Sequence, residues 1–483
     1  MRNVTRRDFL RSATAAGAGM LVSGWAVGCA AKPRAPRAFA GASGWERVPG
    51  ILARIQPPRF PDRTFDVTRF GALGDGTSDC TEALRQAIAA CHTAGGGRVL
   101  VPAGRFLTGP VHLRSNVELH VSEGATLAFS QDPAAYLPLV HTRWEGVELM
   151  HYSPLIYAFE QENIAITGPG TLDGQADAEH WWPWNGRAQY GWQEGQPNQR
   201  EARARLFDLA ERGVPVPERR FGPGSYLRPQ FLQPYRCRNV LIEGVRIVNS
   251  PMWEIHPVLC RNVTVRGVAV VTHGPNNDGC DPESCTDVLI DDCRFDTGDD
   301  CIAIKSGRNA DGRRLASPTE NVIVRGCRMQ DGHGGVTIGS EISGHVRWVF
   351  VEGCTMDSPN LDRALRFKNN ALRGGVLEHV YLRNVQVGQV AEAVVHCDFT
   401  YEEGANGSFS PVVRDVFVQD VTSGRSEYAL YLRGIPAGTI DHIVVEDCDF
   451  RNVAKGNLLE HVRGLTLENV SINGRRADRE AAA

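Results

Sequence analysis

A short pattern that recurs down the chain limits its fold more than any other feature. A polar residue is followed by alternating apolar positions and then by a glycine or acidic turn. It reads Asn239-Val240-Leu241-Ile242-Glu243-Gly244-Val245 in one place and Asn262-Val263-Thr264-Val265-Arg266-Gly267-Val268 in the next. Further copies begin near Asp287, Asn321, Trp348, His379, Asp415, His442 and Gly464, with weaker ones at Asn116 and Asn163, spaced by about 23 to 36 residues. Such a period marks stacked units, because one unit cannot bury its apolar face alone. Alternation with period two inside each copy is that of a strand, and helical spacing is nearly absent. The expected fold is therefore all-β: a single right-handed parallel β-helix, or solenoid, over residues 60–475.

The register of the repeat also accounts for the cysteines, of which the chain has 13. The position five after the first apolar residue holds Val245, Val268, Cys293, Cys327, Cys354, Val385, Val421 and Cys448 in successive copies. Exchange of Cys with Val fits an inward site that needs a small apolar side chain. A metal site would need His or acidic neighbours at ligand spacing, and these are missing. Most of the cysteines are read as core filler, not as disulfides, and no metal or other cofactor is expected.

The open end of a solenoid must be capped. Residues 79–92 predict a helix that does this, with Leu84, Ala87, Ile88 and Cys91 on one face and Asp79 as its N-cap. From about 175 to 229 the repeat breaks. This excursion contains Trp181, Trp182, Trp184 and Trp192 among many arginines and prolines. Long excursions from a rigid scaffold often carry function, although a packing flap is an equal alternative.

The first 40 residues are set apart from the fold. Thr5-Arg6-Arg7-Asp8-Phe9-Leu10-Arg11 precedes a small and apolar stretch from Ser12 to Gly28, the pattern of a twin-arginine export signal. Export places the protein in the periplasm or outside the cell. Processing before Cys29 would leave a lipid anchor, and Ala38-Phe39-Ala40 is an alternative cleavage site. The net charge of −4 and pI near 6.4 offer no general attraction to a polyanion, so nucleic acid is not an expected partner. An acidic substrate would have to be held by cations placed locally. A capped solenoid is expected to be a monomer.

Aligning successive copies brings acidic residues together. One coil runs Thr297-Gly298-Asp299-Asp300-Cys301-Ile302 after its Cys marker, and the next runs Asp331-Gly332-His333-Gly334-Gly335-Val336. The preceding coil reaches Asp278-Gly279-Cys280 after about four extra residues. Allowing for these, Asp278, Asp299 and His333 are expected in one column, with Asp300 beside them. Stacked strands lie about 4.8 Å apart, so the carboxylates could not all ionise easily. One would keep a proton to higher pH, giving an acid and a base in one place, as glycosidic hydrolysis requires. Acidic pairs are also common in turns. Asp291-Asp292, at a turn position held elsewhere by Glu243-Gly244 or Arg325-Gly326, is read as one of those. In Ala364-Leu365-Arg366-Phe367-Lys368, inward Leu365 and Phe367 would turn Arg366 and Lys368 outward, and the same parity turns Lys305 outward. Such a basic row suits a carboxylated sugar.

At these residues the chain resembles glycoside hydrolase family 28, the polygalacturonases. Asn276-Asn277-Asp278-Gly279 is similar to the family's Asn-Thr-Asp-Gly. Gly298-Asp299-Asp300-Cys301, Gly332-His333-Gly334 and Arg366-Phe367-Lys368 resemble its other three motifs, in the same order. The resemblance runs from about Thr64 to residue 470. It implies cleavage of α-1,4-galacturonosidic bonds in pectin by inverting hydrolysis, with Asp299 as general acid. Asp278 and Asp300 would activate water, His333 would tune the acid, and Arg366, Lys368 and Asn276 would hold galacturonate. Tyr401 is a weaker match to a family tyrosine. Retention of His333, Arg366 and Lys368 favours homogalacturonan over rhamnogalacturonan. Gly339-Ser340-Glu341-Ile342-Ser343-Gly344 resembles bacterial exo-acting members, and exo action is expected. Stacking implies carboxylates closer than the roughly 6.5–9.5 Å usual for inverting enzymes. The alternatives are a calcium-dependent pectate lyase and a non-catalytic polysaccharide-binding β-helix.

Overall fold

The coils stack through columns of like residues. Val240, Val263, Val288, Val322, Val349, Val380, Val416, Ile443 and Leu465 follow one another in parallel register on one face, and all are buried. This computed structural model describes residues 42–478; the export motif, Cys29 and both processing sites lie outside the described residues. Parallel strands from Thr64 onward wind into a right-handed parallel β-helix whose core runs along the axis. The face that matters for function is a six-stranded parallel sheet that includes Ile302–Ile304, Val336–Ile338, Arg363–Lys368 and Ala393–Asp398.

The polar residue that opens each repeat has a conformational reason. Asn116, Asn163, Asn239, Asn262, Asp287 and Asn321 have φ between 53° and 65°. Asn and Asp tolerate this left-handed region better than other non-glycine residues. Their side chains then form a ladder: Asn163 donates to Asn116 (3.0 Å), Asn239 to Asn163 (2.8 Å) and Asn262 to Asn239 (2.7 Å). Further along, Trp348 and His379 take the same position and stack with ring centroids 4.0 Å apart.

The Val/Cys column is buried throughout, and no disulfide forms among the twelve cysteines of the described residues. The capping helix spans Thr81–Thr93 and buries Ala83, Leu84, Ala87, Ile88 and Cys91 against the first coils. Its N-cap position is Cys80, not Asp79. Asp79 lies one residue earlier and accepts from the Thr81 amide at 2.9 Å, so it acts from outside the helix. The excursion holds one α-helix, Arg200–Glu211, whose Leu206 and Ala210 join Trp144, Val147, Leu149, Phe221, Leu227, Met252 and Trp253 in a separate apolar cluster. It is therefore a packed wall on the solenoid's flank.

Candidate active site

Two consecutive coils position the aspartates at the entrance to the six-stranded sheet, and a third carries His333. Cys280 pairs with Ile302, Ile302 with Val336, and Val336 with Leu365. Counting back from these pairs, Asp300 aligns with Asp278 and Gly334, while Asp299 aligns with Asn277 and His333. The single column expected for Asp278, Asp299 and His333 is thus off by one residue at Asp278. Register is set by the buried apolar residues of the strands, and the length of the turn before them does not fix it. A slip of one residue exchanges the faces to which side chains point.

The trio is nonetheless compact. Asp278, Asp299 and Asp300 each offer an oxygen within 4.8 Å of the others. Asp300 is fully buried and held on both oxygens: Oδ1 accepts from Arg366 (3.2 Å) and Thr337 (2.8 Å), and Oδ2 from Lys368 (2.6 Å). Burial disfavours its charge, but Lys368 and Arg366 outweigh burial and keep its proton affinity well below the ordinary carboxylate value. Asp278 shows the opposite balance. Burial, then the charges of Asp299 and Asp281, raise it far above the usual range, with Lys305 only partly compensating. Asp299 lies between them. Burial pushes it up, yet the hydrogen bond and charge of His333, with Lys368, bring it below the ordinary value. Of the three, Asp278 is the carboxyl whose surroundings favour a proton, while those of Asp299 and Asp300 favour the charged form.

Asp299, His333, Arg366, Lys368 and Asn276 line a common cleft of about 380 Å3, together with Tyr401. The Arg366 and Lys368 cations lie 5.7 and 5.5 Å from the centre of the Tyr401 ring. Asn276 Oδ1 accepts from Arg228 (2.7 Å) and Asn185 (3.3 Å), which fixes its amide; its nitrogen has no partner among the described residues. Lys305 does not line the cleft. It does point away from Ile302 and Ile304, but its side chain is only 2% exposed. It lies against Trp253 and between Asp278, Asp281 and Glu341. Alternation along a strand shows which face a residue takes but not whether another segment covers that face. Asp291 is bound by Arg325 and Arg266, and Asp292 has φ 52°, so that pair is structural.

The rest of the cleft wall has no marker in the repeat. Asn185, Arg187, Tyr190, Gln199, Arg200 and Arg203 come from the excursion, and Glu145 and Glu402 from turns. The clustered arginines of residues 175–229 were the one available signal. Arg187 is exposed and has no ion-pair partner among the described residues. Arg203 is tied to Glu145 (2.7 Å) and Glu402 (3.8 Å).

Among the described residues three groups have the spacing to hold a cation: His273, Asp296 and Asp331; Glu378, His379 and Asp415; and the aspartate trio, in which no ligand role is needed. The trio's charge is already met by the protein's own cations, with Lys368 and Arg366 on Asp300 and Lys305 on Asp278. A pair of groups with opposed proton affinities beside a basic wall suits acid and base catalysis on an anionic sugar.

Comparison with known proteins agrees with this chemistry. Residues 224–456 match the family model of Glycosyl hydrolases family 28. The crystal structure of a hyperthermoactive exopolygalacturonase from Thermotoga maritima is 48% identical. That match covers 91% of this chain and 99% of that one, with a TM-score of 0.88. A probable polygalacturonase of Vitis vinifera is 28% identical over 80% of this chain and 74% of its own length. An exo-poly-alpha-D-galacturonosidase of Dickeya chrysanthemi is 27% identical over 79% of this chain and 66% of its own length.

Proposed function

This chain belongs to glycoside hydrolase family 28 and hydrolyses α-1,4-galacturonosidic bonds of pectic galacturonan, and we propose that it does so from a chain end. The observation that supports exo action is the excursion, whose residues from Asn185 to Arg203 wall the cleft beside Asp299. An open groove would accept a polymer anywhere along its length. A groove walled at one side admits an end.

The proposed roles follow the charges. Arg366 and Lys368 receive the sugar carboxylate, with Asn276 orienting the ring. Asp299, the member of the trio on the cleft, protonates the leaving oxygen. In the free protein the shared proton is on Asp278, and binding drives it toward Asp299. The bound sugar excludes water from Asp299, and its carboxylate draws on the field of Lys368 and Arg366. Both changes disfavour a charged Asp299. Once the proton has moved, Asp278 and Asp300 are both carboxylates beside the attacking water. Water adds at the anomeric carbon as the bond to the leaving oxygen breaks. Its proton returns to the trio.

The test is release of reducing ends from polygalacturonate by wild type and Asp299→Asn, with products followed from the first minutes. The expected result is monomer, or one fixed short product, from wild type and loss of activity in the variant. Mixed oligomers at the earliest times would remove exo action, and equal release by both proteins would remove the role of Asp299. We also propose export through the twin-arginine route, on the strength of Arg6-Arg7. Retention of an Arg6→Lys, Arg7→Lys double variant in the cytoplasm is the expected outcome.

A further inference from the structure

The Asp278 carboxylate has a cationic neighbour that no substrate can reach. Lys305 Nζ lies 3.6 Å from Asp278, 3.6 Å from Asp281 and 3.2 Å from Glu341. The face of the Trp253 ring closes over it, 4.2 Å from the ammonium to the ring centre. Asp278 itself is 3% exposed, and its Oδ1 has no hydrogen-bond partner among the described residues. A buried carboxylate in that situation gives up a proton only if the charge left behind is met by a nearby cation.

We propose that Lys305 is a positioning residue for catalysis: its buried ammonium stabilises the Asp278 carboxylate that forms when the shared proton passes to Asp299. The step moves one proton between two carboxyl groups and leaves the net charge of the site unchanged. It rests on the hydrolytic reading above and adds to it what makes Asp278 able to release its proton.

The surroundings are consistent with a cation that stays charged. Burial works against the ammonium, but Glu341, Asp281, Asp278 and Asp300 together hold its proton affinity above that of a free lysine. Glu341 comes from the following coil and is kept ionised against its burial by Lys305, Arg308 and Arg373. From the preceding segments come Asp281 and Glu254, both pushed toward the neutral form by burial, Asp281 by neighbouring carboxylates too and Glu254 by Asp278 and Asp281. His256 is pushed toward the neutral form by burial, against the pull of Glu283. Lys368 is a second cation of the same field. Of these groups, Lys305 is the cation in contact with Asp278, and Arg366 and Lys368 are committed to Asp300.

The test compares pH profiles of kcat and KM for wild type, Lys305→Met, Lys305→Arg and Glu341→Gln on a defined oligogalacturonide. Without the ammonium, Asp278 holds its proton to higher pH. Lys305→Met is expected to lower kcat at least tenfold, leave KM within about twofold, and move the acidic limb of the kcat profile up by about 1 to 2 pH units. Lys305→Arg restores the limb. Glu341→Gln removes an anion that competes for Lys305, so it moves the limb down and gives a reading even if Lys305→Met does not fold. A lower kcat or melting temperature with the limbs unmoved in both variants means a structural role and overturns the proposal. A rise in KM alone means that Lys305 meets substrate, which also overturns it. Inactive wild-type protein would instead defeat the hydrolytic reading, so the two failures are distinct.

Discussion

The His333 imidazole stands 3.1 Å from the Asp299 carboxylate, one coil further along and in the same register column. The hydrogen bond to Asp299, then its charge, raise the proton affinity of His333, while His333 lowers that of Asp299. Stability from the raised histidine is complete below its unfolded value of about 6.5 and is lost as pH rises through the folded value. Stability from the depressed aspartate is complete above about 3.9 and is lost as pH falls through its folded value. The melting temperature of wild type should therefore exceed that of His333→Gln most between about pH 4 and 6.5, and the gap should narrow on either side. A gap independent of pH across scanning calorimetry runs would show that the pair is not ionised.

Lys368 and Asp300 form a buried pair at 2.6 Å, with Arg366 as second partner. Removing one member strands the other, so Lys368→Met should cost about 3 to 5 kcal/mol in urea unfolding. Asp300→Asn in the same chain should recover part of that loss, because the stranded charge is gone. Additive costs would mean that the two side chains act independently.

Inversion follows from how Asp300 is held. Both of its oxygens are engaged by Lys368, Arg366 and Thr337, and Asp278 is buried, so neither is free to attack the anomeric carbon. Water is left as the nucleophile in spite of the short spacing of the trio. Proton NMR of the first turnovers should show the β-anomer as initial product. Initial α-anomer would require a covalent intermediate.

Arg187, which has no ion-pair partner among the described residues, offers a cation on the excursion side of the cleft. Since no protein partner is lost, Arg187→Glu should leave the melting temperature unchanged. KM for oligogalacturonides should rise by roughly tenfold or more, the scale of one charge-assisted hydrogen bond. An unchanged KM would place the substrate away from this wall.

Cys301 and Cys397 should be silent in redox terms. Burial raises the thiols of Cys301 and Cys397 out of the reactive range. Dithiothreitol should leave the melting temperature unchanged, and Cys448→Val should cost less than about 1.5 kcal/mol. A fall in melting temperature on reduction would reveal a disulfide.

The repeat by itself determined the solenoid, its strands and the columns from Val240 to Leu465. These depend on a local alternation that any stretch of chain displays. It also marked Asp278, Asp299, Asp300, His333, Arg366 and Lys368, since motifs placed at corresponding turns of adjacent coils must come together once the coils stack. Tertiary structure alone decided the partner of each. Whether Asp278 lies over Asp299 or Asp300 depends on a one-residue register, which the buried Cys280, Ile302 and Val336 settle collectively. Whether Lys305 faces substrate or supports an aspartate depends on Trp253, 52 residues earlier in the chain, closing over it. The cleft wall from Asn185 to Arg203 obeys no repeat, and its position follows from Trp181 in the main core at one end and from Leu206 and Ala210 in a separate apolar cluster at the other. Burial and long-range pairing are properties of the whole packed chain, and so the protonation of each carboxylate could not be read until the fold had placed its neighbours.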